Sequence, residues 1–298
     1  MSDTDPAGGP DLRFWRVTRD SDGIVEARFR NPPMNYFCAG AAQELGALIA
    51  AWQRPEVRAV ILTGDPPGRF ITHYSVEELL AFGADRAEME RIGTGLSDGY
   101  HALLRALRDL PKPVIAAISG DCMGGGLELT LWCDFRIAQA GDFRLGLPEI
   151  HMGIMPGGSG TQMLGRLIGT ARAARLILLG ELLTPDAALD LGVVHYVSDD
   201  CTAFARQIAR RLCALNAQGI AGIKAALHAD TDLAGGLHAE ARAFLDVMRS
   251  PAAMPGMERY LAVDPDQRRA WLERNPDRAA VPSRSRPNRR CGWSPTSD

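Results

Sequence analysis

Two short segments limit the folds open to this chain more than any other feature. Val57–Thr63 reads VRAVILT and stops at Gly64, and Pro113–Ile118 reads PVIAAI and stops short of Gly120. Both are too short for ordinary helices and are apolar at almost every position. A strand with one wet face alternates apolar with polar residues, so a continuous run of this length marks a strand buried on both faces. Around them lie segments with helical spacing. Ala41–Trp52 carries Leu45, Leu48, Ile49 and Trp52, and Val76–Ala81, Ala87–Leu110 and Leu127–Cys133 follow. Phe135–Ala138 is a further strand. Strands that alternate with helices predict an α/β fold with parallel strands joined by crossovers.

The flanks fit that frame. Arg13–Arg19 and Ile24–Arg30 alternate around Asp22-Gly23, which predicts a hairpin closed by an Asp-Gly turn. After Pro156 the pattern turns helical: Gln162–Ile168, Ala171–Leu179, Pro185–Asp190, Thr202–Ala214 and Ala234–Arg249, with a strand near Val193–Val197. Residues 1–10 and the Arg-, Pro- and Ser-rich stretch 275–298 are too poor in apolar residues to order themselves. No internal repeat is visible.

At 298 residues, 46% hydrophobic and 23% charged, the chain can bury a large core without metal or disulfide support. The net charge of −3 gives no general attraction to nucleic acid or anionic lipid, and the arginines near the C-terminus read as a solvated end. No apolar run approaches the ~20 residues that span a bilayer, and the first residues are acidic rather than signal-like. Six scattered cysteines without a CxxC pair read as reduced thiols, and no His/Cys/Asp cluster has metal-ligand spacing. A cytoplasmic protein without a metal is expected.

Chemistry concentrates in two stretches. In Ile115–Glu128 (IAAISGDCMGGGLE) a buried strand gives way to three glycines, then to an apolar helix with an acid in its first turn. Gly124, Gly125 and Gly126 let a ligand approach the backbone, and the free N–H groups at a helix start favour an anion or a developing oxyanion. The plainer explanation is tight helix–sheet packing or a phosphate loop, though neither GxGxxG nor GxxxxGK[ST] is present. In Leu145–Gly160 (LGLPEIHMGIMPGGSG) Pro148 fixes the backbone before Glu149, whose neighbours Leu147, Ile150 and Met152 are apolar. Such surroundings raise a carboxyl pKa and suit a general acid, with a surface or capping role as the alternative; His151 is placed to tune it. Thr161 stands where a GxSxG elbow needs its last glycine, which argues against a Ser159 nucleophile.

Together KPVIAAISGDCMGGGLELTLWCDFRIA and FRLGLPEIHMGIMPGGSGTQMLGRLIG resemble the signature of the crotonase (enoyl-CoA hydratase/isomerase) superfamily. NPPMN (Asn31–Asn35), VRAVILTG and ILLGELLTPDAALDLGVVHYV support the match, which covers roughly residues 13–273. The resemblance implies a spiral of β-β-α units over residues 11–200, then a helical trimerisation region over 201–274. It implies homotrimers or hexamers built from two trimers. It implies an acyl-CoA substrate, with coenzyme A held as part of that substrate and no separate cofactor. The family's two oxyanion-hole amides fall on Gly125 and, counting from Phe70, on Tyr74. The two glutamates that hold the attacking water in hydratases match Glu128 and Glu149. Thr72, His73, Gly124, Gly126, Pro148 and Gly157 fall at substrate-binding positions. A water-adding enoyl-CoA hydratase is therefore expected. The alternatives are an isomerase, hydrolase or decarboxylase of the same fold, or from another class a non-catalytic RNA-binding relative.

One loop departs from the family. Where AGAD or SGAD is common, this chain has Thr72-His73-Tyr74-Ser75, and Asn35 is followed by Tyr36-Phe37 instead of small or aliphatic residues. A backbone N–H suffices for an oxyanion, so Tyr74 can still donate, but its bulk reshapes the acyl pocket.

Overall fold

In the computed structural model residues 12–229 are described. The expected helix 234–249, the tail 275–298 and residues 1–10 lie outside them. The hairpin forms as read: β1 (Trp15–Arg19) pairs antiparallel with β2 (Ile24–Phe29), and Gly23 takes the left-handed turn position at φ 79°. Helix α1 (Ala39–Ala51) follows, burying Ala41, Leu45 and Ile49, which stand four residues apart on one face.

From there each unit sends one strand to a large sheet, turns, and sends a second to a smaller one. β3 (Ala59–Gly64) is followed by β4 (Gly68–Arg69). Helices α2 (Val76–Ala84), α3 (Arg86–Ile92) and α4 (Gly95–Arg108) separate them from β5 (Val114–Ile118) and β6 (Gly120–Met123). Helix α5 (Gly125–Thr130) leads to β7 (Phe135–Gln139) and β8 (Leu145–Gly146). A 3-10 turn at Glu149–Met152, α6 (Gly160–Ile168) and α7 (Thr170–Leu179) follow. The described chain closes with β9 (Leu182–Leu183), α8 (Pro185–Asp190), β10 (Tyr196–Ser198), α9 (Cys201–Cys213) and α10 (Ala217–Leu227).

The large sheet runs β1-β2-β3-β5-β7-β10, parallel from β2 onward, and the small one runs β4-β6-β8-β9. This repeated β-β-α turn is the repeat that the sequence does not display: β4, β8 and β9 are two residues each, too short for any pattern. The expected single helix over 87–110 is two helices. Gly93, at φ 57°, breaks it before α4 begins. Helix α10 has no counterpart in the sequence reading.

Period-two alternation divides the buried strands between two layers. Val60, Leu62, Val114, Ala116 and Ile118 face the main core with α1 and α5. Ala59, Ile61, Ile115 and Ala117 face the other side, where Cys201, Ala205, Ile208 and Ala209 of α9 cover them. Helix α9, which the resemblance places in the trimerisation region, thus forms the back layer of the sheet.

Candidate active site

The site lies where β6 runs into α5. Gly124 has φ 50°, a conformation that side chains rarely adopt, and its N–H is taken by the Gly146 carbonyl at 2.9 Å. The next amide, that of Gly125, begins α5 and has no intrahelical acceptor. Gly126 faces inward. A Cβ there would stand 2.1 Å from the Ile71 carbonyl oxygen, so its bare backbone lets α5 lie directly on the 70–74 segment.

That segment brings in the second amide. The Phe37 N–H donates to the His73 carbonyl at 2.8 Å and the Ser75 N–H to the Phe37 carbonyl at 2.7 Å, a parallel bridge that uses the bonds on either side of Tyr74. In such a bridge the N–H of the middle residue points the other way. The Tyr74 nitrogen lies 3.8 Å from the Cβ position of Gly125. Among the described residues neither the Tyr74 nor the Gly125 N–H has a hydrogen-bond partner.

Glu128, one turn into α5, is buried, and its Oε1 accepts the N–H groups of Gly158 and Gly160 at 2.8 and 2.7 Å. Burial pushes its carboxyl up to about 7. The Gly160 and Gly158 amides oppose that, and the charge of Glu149 adds to it. Glu149, in the 3-10 turn after Pro148, is likewise raised to about 7 by burial, against its own backbone hydrogen bond. Its Oε2 is buried with no hydrogen-bond partner. His151 lines the same cavity as Glu149, and among the described residues no hydrogen bond joins the two. Glu128, Glu149, Tyr74 and Gly125 all line one cavity of about 500 Å³, along with His73, Gly124, Pro148 and Gly157.

Two expected substrate-binding residues do not reach that cavity. Thr72 is buried, with its hydroxyl donating to the Met34 carbonyl at 2.6 Å and its N–H to the Asn35 carbonyl at 3.2 Å; it fastens the loop. Gly126 is the packing residue just described. Ser159 accepts the indole N–H of Trp132 at 2.7 Å and does not line the cavity. The sequence reading misses the Gly158 and Gly160 amides, which a GGSG run could have flagged as a carboxylate cradle. It also misses Tyr100, whose hydroxyl donates to the Gly125 carbonyl at 2.8 Å and whose position inside an amphipathic helix gives no signal.

A sequence profile described as enoyl-CoA hydratase/isomerase matches residues 19–265. The chain belongs to the enoyl-CoA hydratase/isomerase family. A Bacillus subtilis protein described as a probable enoyl-CoA hydratase is 34% identical over 249 residues, 80% of this chain and 92% of that one. The fatty acid oxidation complex subunit alpha of Vibrio cholerae is 38% identical over 210 residues, 67% of this chain, which spans only 28% of that longer protein. The crystal structure of enoyl-CoA hydratase from Bacillus anthracis superposes with a TM-score of 0.75 at 28% identity, covering 83% of this chain and 95% of that one. The fold is thus the crotonase fold of the enoyl-CoA hydratase/isomerase family. No helix among the described residues is long and apolar enough to cross a membrane.

Proposed function

We propose that this family member is an enoyl-CoA hydratase, adding water across the 2,3 double bond of an acyl-CoA thioester. The observation that carries the reading is the meeting, on one apolar cavity, of two unpaired backbone N–H groups and two buried carboxyls each raised to about 7. Coenzyme A enters as part of the substrate. The Tyr74 and Gly125 amides receive the thioester oxygen and stabilise the charge that develops there. Glu128, with one oxygen fixed by Gly158 and Gly160, takes the proton of the water that attacks C3. The electron pair of the double bond moves to the thioester oxygen, and Glu149 returns a proton to C2 as the enolate collapses. Two carboxyls raised to about 7 on one cavity, the charge of Glu149 adding to the rise at Glu128, can supply an ionised base and a protonated acid at once.

A second reading, double-bond isomerisation, is favoured by the unpartnered Oε2 of Glu149, since one mobile carboxyl can carry a proton between C2 and C4. Incubation with a panel of trans-2- and trans-3-enoyl-CoAs, with products identified by mass and chromatography, separates the two. A gain of 18 mass units, the mass of one water, is expected from the trans-2 substrates by the stoichiometry of hydration. A shifted double bond without added water establishes the isomerase, and an unchanged panel removes both readings.

A further inference from the structure

Helix α2 has an apolar stripe with no core beneath it. None of its residues is buried. Val76, Leu79 and Phe82, half-buried and spaced to share a face, border the catalytic cavity from above. An amphipathic helix ordinarily gains its stability by covering a core with that face. Here the space under the stripe is the cavity, and beyond the catalytic groups its wall continues as Leu96, Ile154 and Met155. An apolar tail on the substrate would complete the packing of α2.

The same helix is tied to the oxyanion donor by one side chain. Glu78 sits in the first turn of α2, where its N–H bonds the Ser75 cap at 3.2 Å. Its Oε2 accepts the Tyr74 hydroxyl at 2.7 Å and the Ala39 N–H at 2.9 Å. The second bond reaches the first amide of α1, whose own cap residue Cys38 makes no side-chain bond, so Glu78 supplies the missing acceptor at the positive end of that helix. Helix α1 is locked into the core through Leu45 and Ile49. One carboxylate therefore links a rigid helix, a helix that roofs the cavity, and the side chain of the residue whose amide faces the thioester.

We infer that Glu78 is a positioning residue: through its bond to the Tyr74 hydroxyl it makes the placement of the Tyr74 oxyanion donor depend on an apolar acyl tail packed under α2. The inference rests on the hydratase reading of the same site. It assigns the enzyme to acyl chains long enough to reach α2, and it makes the chain act on the chemical step as well as on binding. Each methylene buried under α2 strengthens binding by roughly fourfold. Through Glu78 part of that remote energy is realised at the reacting centre and raises kcat.

The experiment compares trans-2-decenoyl-CoA with crotonyl-CoA in the full-length protein and in Glu78→Ala, Glu78→Gln and Tyr74→Phe. In the native protein kcat is expected to be higher on the ten-carbon substrate, and KM lower. Glu78→Ala and Tyr74→Phe should each lower kcat on the ten-carbon substrate about tenfold, the worth of one charge-assisted hydrogen bond. Glu78→Ala should leave crotonyl turnover nearly unchanged and preserve the KM advantage of the longer chain, and in Tyr74→Phe the ratio of kcat on the ten-carbon substrate to kcat on crotonyl-CoA should fall. Glu78→Gln, whose amide oxygen can accept both bonds, should restore most of the loss. An equal fall of kcat on both substrates, or a failure of Gln to rescue, overturns the inference. Amide hydrogen exchange with the saturated thioesters decanoyl-CoA and butyryl-CoA needs no turnover. Decanoyl-CoA should protect residues 76–84 and the Tyr74 amide more than butyryl-CoA does, and in Glu78→Ala only the protection of α2 should survive. Equal protection by the two ligands overturns the inference, whereas a protein that hydrates neither enoyl-CoA refutes the hydratase reading and leaves the exchange result to decide the coupling. If Glu78→Ala fails to fold, Tyr74→Phe carries both measurements.

Discussion

The two carboxyls that equip the cavity should make the protein less stable as pH rises, and Glu149 isolates the effect. Its carboxyl titrates near 7 in the folded protein against an ordinary value of 4.5, because burial disfavours the ionised form. The native state therefore holds this proton more tightly than the unfolded chain does. Its contribution to stability is fully present below pH 4.5 and is lost as pH rises from 4.5 through 7. At ~1.4 kcal/mol per pKa unit, the loss across that window comes to about 3 kcal/mol. Glutamine is nearly isosteric, can satisfy the same surroundings and carries no titrating proton. Glu149→Gln should thus match the native protein at pH 4.5 and exceed its stability by about 3 kcal/mol at pH 8.5. Relief of Glu128 from a neighbouring charge acts in the same direction. Urea unfolding of both proteins at several pH values measures the difference, and titrating groups that do not sense the Glu149 charge cancel in it. A gap that stays constant from pH 4.5 to 8.5, or one that narrows, refutes the claim that a buried, unpaired Glu149 oxygen carries this cost.

Further outcomes follow from the same contacts. Glu128→Gln and Glu149→Gln should each lower kcat on a short enoyl-CoA by about 10²–10⁴-fold, and the double variant should lose far less than the product of the two; strict multiplicativity would show that the groups do not share one water. In an isomerase only the Glu149 change would be severe. Gly126→Ala forces a Cβ to within 2.1 Å of the Ile71 carbonyl and should cost about 1–3 kcal/mol by chemical denaturation; an unchanged midpoint would mean that α5 is not seated on that segment. Lys224→Met breaks the buried pair with Asp134, in which Nζ and Oδ2 stand 2.5 Å apart. It should destabilise by about 3–5 kcal/mol, and the second change Asp134→Asn should recover part of that.

Much of this architecture is written locally. Val57–Thr63 and Pro113–Ile118 betray two-sided burial because a buried strand needs no polar alternation, and Asp22-Gly23 betrays its turn because few residues tolerate the backbone it requires. The triglycine announces a backbone that something approaches closely. What stays hidden are relations that depend on distant partners. Glu128 is an ordinary acid in a helix until Gly158 and Gly160, thirty residues on, aim their amides at it. Gly126 and Gly125 are indistinguishable in a GGG run, yet one meets Ile71 and the other opens onto the cavity. Thr72 stands beside His73 in the sequence, and alternation of the chain turns one inward to Met34 and the other to the site.

Helix α2 shows the deeper reason. Its period of 3.6 residues correctly predicts a helix with an apolar face, since periodicity reports only that one face avoids water. It cannot report what that face meets. In α1 and α9 the same signal means a core, because Leu45 and Ile49, or Ala205 and Ile208, are buried by strands of the chain itself. In α2 no residue is buried, and the face borders a cavity beside two raised carboxyls. Among the described residues the stripe of α2 has a cavity and not a core beneath it, which leaves room there for another molecule. The physical signature of such a site is therefore a mismatch: helical periodicity satisfied in the sequence, burial unsatisfied in the fold. Glu78 then follows from the hydrogen bonds, because an exposed acid that accepts from both Tyr74 and Ala39 joins that helix to α1 and to a residue whose amide borders the cavity.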